Sequence, residues 1–146
     1  MSLEIERKFL VKDRGFEALA TAQSQISQGY LSREAERTVR VRLRDGKGFI
    51  TIKSKNRGAV RGEWEYEIPE RDARELLTLC EGRVISKTRY LVPWQGMTWE
   101  VDVFGGDLSG LILAEIELPS ADAEFCAPPF VGEEVTGNQR YYNSNL

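Results

Sequence analysis

Charged and apolar residues alternate with period two along much of the chain, which is the pattern of strands with chemically different faces. Residues 3–11 place Glu4, Glu6 and Lys8 on one parity and mostly apolar residues on the other. A shorter and more polar candidate strand, residues 26–32, contains Tyr30. Further candidate strands are residues 37–45, 48–55, 62–68, 83–92, 97–104 and 111–118. Short turns such as Asp45-Gly46 separate most of these eight predicted strands, so we expect an antiparallel meander.

Helical signals are few. Residues 14–22 carry apolar side chains at helical spacing. Asp72 and Glu75 resemble a capping box that opens a second helix, with Gly82 as its stop signal. The tail from Gly137 to Leu146 is too short to be stable alone, so it must dock on the rest of the protein.

Two interpretations of the charged faces stay open on spacing alone. In the ordinary case the charged face of a sheet is solvated and the apolar face fills the interior. In the inverted case the charges line a barrel, and the amphipathic helices cover an apolar outer face. Two observations favour the inverted case: the helices need an apolar surface to cover, and the carboxylates and cations on these parities nearly balance, as an enclosed ionic lining requires.

Composition narrows the chemistry. The 146 residues are 41% hydrophobic and 29% charged, which fits one globular domain over residues 1–146. The net charge of −3 argues against a nucleic-acid partner. The chain has no histidine, which excludes histidine-assisted nucleophilic catalysis and the commonest zinc ligand. A metal would therefore be held by oxygen, as magnesium, manganese and calcium are.

The expected location is the cytoplasm. The N-terminus is charged at once and lacks the apolar region of a signal peptide. No apolar run is long enough to span a bilayer, so no membrane partner is expected. The two cysteines, Cys80 and Cys126, fit a reduced chain.

An interior lined by these charges would suit a metal-bound polyanion. Cations come mainly from the third, fourth and sixth predicted strands, and carboxylates mainly from the first, fifth, seventh and eighth. The basic wall can bind phosphate oxygens. The acidic wall would repel such an anion unless a divalent cation lay between them. Carboxylates at positions i and i+2 of a strand lie about 6–7 Å apart, which suits oxygen coordination.

The ordered set of charged strands resembles one family throughout its length. Glu4-Ile5-Glu6-Arg7-Lys8 resembles the ExExK signature of the CYTH superfamily, the triphosphate tunnel metalloenzymes. The tail 140–146 is similar to the closing segment of its short bacterial members. The other matching segments are Arg40-Val41-Arg42, Thr51-Ile52-Lys53, Glu63-Trp64-Glu65-Tyr66-Glu67, Lys87-Thr88-Arg89-Tyr90, Glu100-Val101-Asp102 and Glu115-Ile116-Glu117.

This resemblance implies a fold and a set of residue roles. The implied fold is all-β dominated (α+β), an eight-stranded antiparallel closed barrel, or tunnel, with a few helices packed outside. Lys8 and Tyr30 would act together in catalysis, with Glu63 and Glu65. The phosphate-binding residues would be Lys8, Arg40, Arg42, Lys53, Lys87 and Arg89. Glu4, Glu6, Glu115 and Glu117 would hold Mg2+ or Mn2+, and Glu63, Glu65, Glu100 and Asp102 would hold a second metal or orient water.

The expected activity is hydrolysis of a terminal phosphoanhydride bond, with inorganic triphosphate as the leading substrate. Alternatives within the family are adenylate cyclisation and thiamine triphosphate hydrolysis. An alternative of another class is a non-catalytic module that binds polyphosphate. The partner is a small anion, a triphosphate or nucleoside triphosphate. The oligomeric state stays open, with a homodimer as one alternative.

Overall fold

Nine strands and two short helices make up the computed structural model, which describes residues 2–146. The strands are β1 (Leu3–Val11), β2 (Ala22–Ser32), β3 (Arg37–Arg44), β4 (Lys47–Ser54), β5 (Val60–Ile68), β6 (Glu81–Trp94), β7 (Met97–Phe104), β8 (Ile112–Glu117) and β9 (Val131–Glu134). The helices are α1 (Phe16–Leu19) and α2 (Glu70–Leu77), and 3-10 turns lie at Gly106–Leu108, Gln139–Tyr141 and Asn143–Asn145. None of the helices in residues 2–146 has the length and apolar character needed to cross a membrane.

The first eight strands close into a barrel, which confirms the predicted architecture. Their order is β5-β4-β3-β2-β6-β7-β8-β1, and pairing of β1 with β5 closes the ring. Every pairing is antiparallel. The ninth strand, which the sequence pattern did not predict, pairs with the end of β1 through Phe9 and Val11.

The barrel is not one continuous meander, so that expectation is wrong. Strands β2 to β5 and β6 to β8 each form a meander, but β1 is not adjacent to β2, and β6 pairs with β2 instead of β5. The connection through α2 accounts for the pairing of β6 with β2. This helix contacts β4, β3 and β2 on its way from β5 to β6, and so carries the chain across the outside of the sheet.

Helix α2 rests on an outer apolar surface. Ala73 is fully buried against Val41 and Leu43 of β3. A Cβ atom on Gly48 of β4 would lie 2.7 Å from the Cβ of Ala73, so glycine permits this close approach. The predicted capping box at Asp72 does not form: Pro69 is the N-cap, no side chain caps the helix, and Asp72 lies within the first turn.

A second outer layer covers β1, β6, β7 and β8. Phe9, Trp99 and Phe125 pack with ring centroids 5.4 to 6.0 Å apart, and Phe16 of α1 lies against Phe130. The remaining buried members of this cluster are Val92, Val101, Ala114, Ile116, Leu118 and Val131. The large apolar layers therefore lie outside the barrel wall, and the inverted arrangement is the one the chain adopts.

A third apolar cluster fills one end of the interior. Ile85, Phe104 and Leu113 share the parity of the interior charges on their own strands. The tail packs against them through Tyr141 and Leu146. The tail thus docks on the barrel, as expected, and closes part of this end.

Candidate functional site

The interior holds a cavity of about 150 Å³ whose lining side chains are all polar or charged. It arises because alternate residues of the strands point inward, such as Arg40, Arg42 and Arg44 of β3. Most of the residues predicted for the site line this cavity: Glu4, Glu6, Tyr30, Arg40, Arg42, Lys53, Glu63, Glu65, Arg89, Glu100, Glu115 and Glu117. Lys8, Lys87 and Asp102 are buried in the wall around it and are not part of its lining.

Two buried arginines of β3 form the centre of the basic wall. Arg42 donates from Nε and Nη2 to Oε1 of Gln28, at 2.9 and 2.6 Å. Burial lowers the pKa of Arg42 to about 9, and the nearby charges of Arg40 and Arg89 act in the same direction. Arg40 donates from Nη2 to Thr51, and its buried Nε has no partner. A buried donor without a protein partner on this wall is free to bind an acceptor of a ligand.

A cluster of three carboxylates faces this wall. One carboxylate oxygen from each of Glu6, Glu100 and Glu115 lies within 4.8 Å of the others. Burial raises the pKa of Glu6 well above its usual range, and the charges of Glu115 and Glu4 add to that effect. Burial also raises the pKa of Glu115, but Lys8 and Arg89 outweigh it and hold this pKa below its usual range. The raised pKa of Glu6 reflects burial and repulsion by neighbouring carboxylates, which a divalent cation bound at this cluster would relieve.

Glu4 has different partners from Glu6. Its Oε2 lies 2.9 Å from Nζ of Lys53, and its Oε1 accepts from Nε of Arg61 at 3.2 Å. Lys53 also lies 3.4 Å from Oε2 of Glu63. Burial raises the pKa of Glu63 to about 7, helped by its hydrogen bond with Glu4. Glu117, the other residue expected to bind metal, lines the cavity but is exposed.

Asp102 lies in a buried ion-pair network. Its Oδ2 is 2.7 Å from Nζ of Lys87, and Arg89 donates to both of its oxygens at 2.8 and 2.9 Å. Burial raises the pKa of Asp102, but Lys87 and Arg89 lower it further than burial raises it. Arg89 also contacts Oε2 of Glu100 at 3.0 Å. The network holds the side chain of Arg89 at the cavity. Asp102 lies within this network and is not part of the carboxylate cluster.

Lys8 is held by two groups. Its Nζ donates to the carbonyl oxygen of Tyr141 at 3.0 Å and lies 3.4 Å from Oε1 of Glu115. Burial lowers the pKa of Lys8, but the charges of Glu115 and Glu6 outweigh it and raise the pKa overall. Tyr30 is buried on β2, a strand that does not neighbour β1, and it lines the cavity.

The structure adds site residues that the sequence reasoning missed. Arg61 precedes Glu63 by two positions, so extending the period-two pattern backwards would have found it. Gln28 orients Arg42, but a neutral amide gives no charge signal. Asn143 reaches the cavity from the tail, and its buried Oδ1 has no hydrogen-bond partner. No local pattern marks such a residue, because only tertiary docking of the tail brings it there.

Comparison with known proteins gives consistent matches. The family model described as "CYTH domain" matches residues 2–145. The inorganic triphosphatase of Acetivibrio thermocellus is 47% identical over 147 residues, which cover 100% of this chain and 94% of that protein. The inorganic triphosphatase of Nitrosomonas europaea is 40% identical over 148 residues, covering 98% and 95% respectively. A crystal structure of an inorganic triphosphatase matches with a TM-score of 0.69 at 38% identity, over 97% of this chain and 95% of that one.

Proposed function

Because the chain belongs to the CYTH-domain family, we propose that it is a divalent-metal-dependent hydrolase that splits inorganic triphosphate into diphosphate and phosphate. The observation that carries this proposal is the cavity inside the barrel, in which a basic wall faces three clustered carboxylates. A cavity built only to bind an anion would need the basic wall alone. The carboxylates also allow a cation to bind in this cavity. Hydrolysis of a phosphoanhydride bond uses both a metal cation and basic side chains around the phosphate groups.

The basic wall is the proposed binding surface for the phosphate chain. Arg40 and Arg42 offer guanidinium donors, and the unpaired Nε of Arg40 supports a phosphate oxygen as its missing acceptor. Lys53 and Arg89 flank them. Each charge-assisted hydrogen bond contributes roughly 1.5–3 kcal/mol. Tyr30 is the one aromatic residue among the described lining residues, which include no aliphatic side chain, and this composition favours a compact inorganic substrate.

Glu6, Glu100 and Glu115 are the proposed holders of Mg2+ or Mn2+. Three carboxylate oxygens suit these hard cations, and the raised pKa of Glu6 supports an electrostatic need for one. A divalent cation there supplies positive charge that neutralises the carboxylates and the phosphate oxygens. Glu4 is tied to Lys53 and Arg61, so we assign it to positioning Lys53.

Glu63 is the proposed proton acceptor. Its carboxyl group lines the cavity, and its pKa of about 7 places it close to neutral pH, where a general base is most effective. In this step a water oxygen forms a bond to the terminal phosphorus, the bridging P–O bond breaks, and diphosphate leaves. The proton of the water passes to Glu63. Arg40, Arg42 and Lys53 stabilise the charge that develops on the phosphoryl oxygens.

The test is product analysis after incubation with inorganic triphosphate, ATP or thiamine triphosphate, each with Mg2+ or Mn2+ and each with excess EDTA. Orthophosphate from inorganic triphosphate, absent with EDTA, is the expected result. Cyclic AMP from ATP would overturn the proposal in favour of a cyclase. Tight binding of triphosphate in EDTA without turnover under any condition would overturn it in favour of a binding module. We place the activity in the cytoplasm, which the two free cysteines, Cys80 and Cys126, support.

A further inference from the structure

A second cavity, of about 180 Å³, lies beside the lumen at the tail. Three cationic side chains line it: Arg33, Lys55 and Arg61. Neutral polar groups complete much of the lining, among them Thr38 and Tyr142. No carboxylate lines it in the described part of the chain. This lining differs from that of the lumen, which contains both cations and carboxylates.

The second cavity continues the basic wall of the lumen. Lys55 comes directly after the end of β4 at Ser54, and on β5 Arg61 precedes Glu63 by two residues. Two residues along a strand advance about 6–7 Å, so Arg61 lies one step along β5 from Glu63. Strands β4 and β5 run antiparallel and pair Lys53 with Glu63, so Lys55 and Arg61 lie at the same end of the two strands. Arg61 lines both cavities and therefore forms the boundary between them.

The three cations keep donor capacity for a ligand. Arg33 uses Nε to donate to the carbonyl oxygen of Ser144 at 2.6 Å, and Arg61 uses Nε to donate to Glu4. Each guanidinium carries further N–H donors in a planar fork. Lys55 lies 3.6 Å from Glu36, and both side chains are at least 60% exposed, so this ion pair is weak.

We propose that this second cavity is a metal-independent binding site for a phosphate anion, and that it receives the orthophosphate released in the lumen. The charge of the site supports its independence from metal, and its position supports its role in receiving a product. Without carboxylates the site needs no cation to neutralise repulsion, and its position past Arg61 offers a product a cationic site outside the catalytic cavity. The identity of the anion as a product rests on the proposed function.

The test is isothermal titration of the full chain with orthophosphate in EDTA. The wild-type protein should bind phosphate under these conditions. Lys55→Gln should weaken that binding about fivefold, because it removes one charge-assisted contact at a partly exposed position. Lys47→Gln, at an exposed lysine at the other end of β4, is the matched control and should bind as the wild type does. Thermal unfolding of each variant verifies the fold.

A lumen variant locates the bound anion. Arg42→Gln should keep the metal-free phosphate site, because Arg42 lines only the lumen cavity of the two. Loss of metal-free binding in Arg42→Gln with retention in Lys55→Gln would place the anion in the lumen and overturn the inference. Absence of any phosphate binding by the wild type in EDTA would overturn it too. The titration measures binding and needs no turnover. A protein that hydrolyses inorganic triphosphate but binds no phosphate in EDTA would refute this inference alone. A protein that binds phosphate in EDTA but hydrolyses no inorganic triphosphate would refute the proposed function.

Discussion

Replacing Glu6 by glutamine should change two measurable properties in opposite directions. The substitution removes one negative charge from the carboxylate cluster and keeps nearly the same volume. The metal-free protein should become more stable, because glutamine removes a buried charge that Glu115 and Glu4 repel. The affinity for a divalent cation should fall, because one of the three ligands becomes neutral.

The magnitudes follow from the geometry of the cluster. At an effective dielectric constant near 20, unit charges 4.8 Å apart repel each other by about 3.5 kcal/mol. Solvent screening and the raised pKa of Glu6 reduce this repulsion, so we expect a gain of about 1 to 2 kcal/mol in the free energy of unfolding at pH 8. The gain should shrink at pH 5, where the folded protein already binds a proton at Glu6. Loss of one charged ligand should weaken Mn2+ binding by about 2 kcal/mol, or roughly thirtyfold.

Chemical denaturation in EDTA at pH 5 and pH 8 measures the stability change, and calorimetric titration with Mn2+ measures the affinity. Glu133→Gln is the matched control, because Glu133 is exposed on β9 and lines none of the cavities described above. Unchanged Mn2+ affinity in Glu6→Gln would refute the assignment of Glu6 as a ligand. Lower stability in EDTA at pH 8 would refute the electrostatic reasoning itself.

Three further substitutions test other parts of the structure. The raised pKa of Glu63, about 7 against 4.5 for an unperturbed glutamate, means that the folded state binds more protons between these values, so Glu63 makes stability fall as pH rises through this range. Glu63→Gln should reduce this slope and add about 1 to 2 kcal/mol at pH 8, and a slope unchanged in EDTA would contradict this cause. Arg42→Gln should raise the KM for inorganic triphosphate about tenfold in steady-state kinetics, because a buried phosphate donor is lost, and an unchanged KM would exclude Arg42 from substrate binding. Gly48→Ala should destabilise the protein by about 1 to 3 kcal/mol in denaturant unfolding, because the added Cβ would lie 2.7 Å from the Cβ of Ala73. Gly105→Ala is the control and should change stability little, because its added Cβ would have its nearest neighbouring atom at 3.7 Å. Equal effects of the two substitutions would show that α2 does not pack tightly on β4.

Most strand positions were predictable from local pattern, whereas the inward face also needed the charge balance and the amphipathic helices as arguments. Period-two alternation finds β1 and β3 within a residue of their ends, because each carries charge on one parity and mainly apolar residues on the other. The order of strands around the barrel was not predictable in this way. It depends on α2 packing across β2 to β4, which is a tertiary contact. Strand β9 was missed because its four residues are too short for a periodic signal.

The division of labour among the carboxylates also lay beyond the sequence pattern. Glu4 and Glu6 share a face of β1, and their spacing predicts the same role for both. Register separates them: Glu6 pairs opposite Glu117 on β8, whereas Glu4 lies opposite Arg61 on β5. In the closed ring β1 lies between β5 and β8, so Glu4 and Glu6 are paired on opposite edges of the same strand. A pattern along one strand carries no information about which neighbour each residue pairs with.

The outward placement of the apolar layers separates two kinds of evolutionary change. Residues such as Trp99 and Val41 stabilise the protein from outside the wall, so their packing does not involve the side chains that meet the ligand. A substitution inside the lumen changes charge and hydrogen bonding without opening a hole in a hydrophobic layer. Descendants of one such barrel can therefore exchange one anionic ligand for another while keeping the layers that fold them. Selection can act on ligand choice and on folding through almost separate sets of positions.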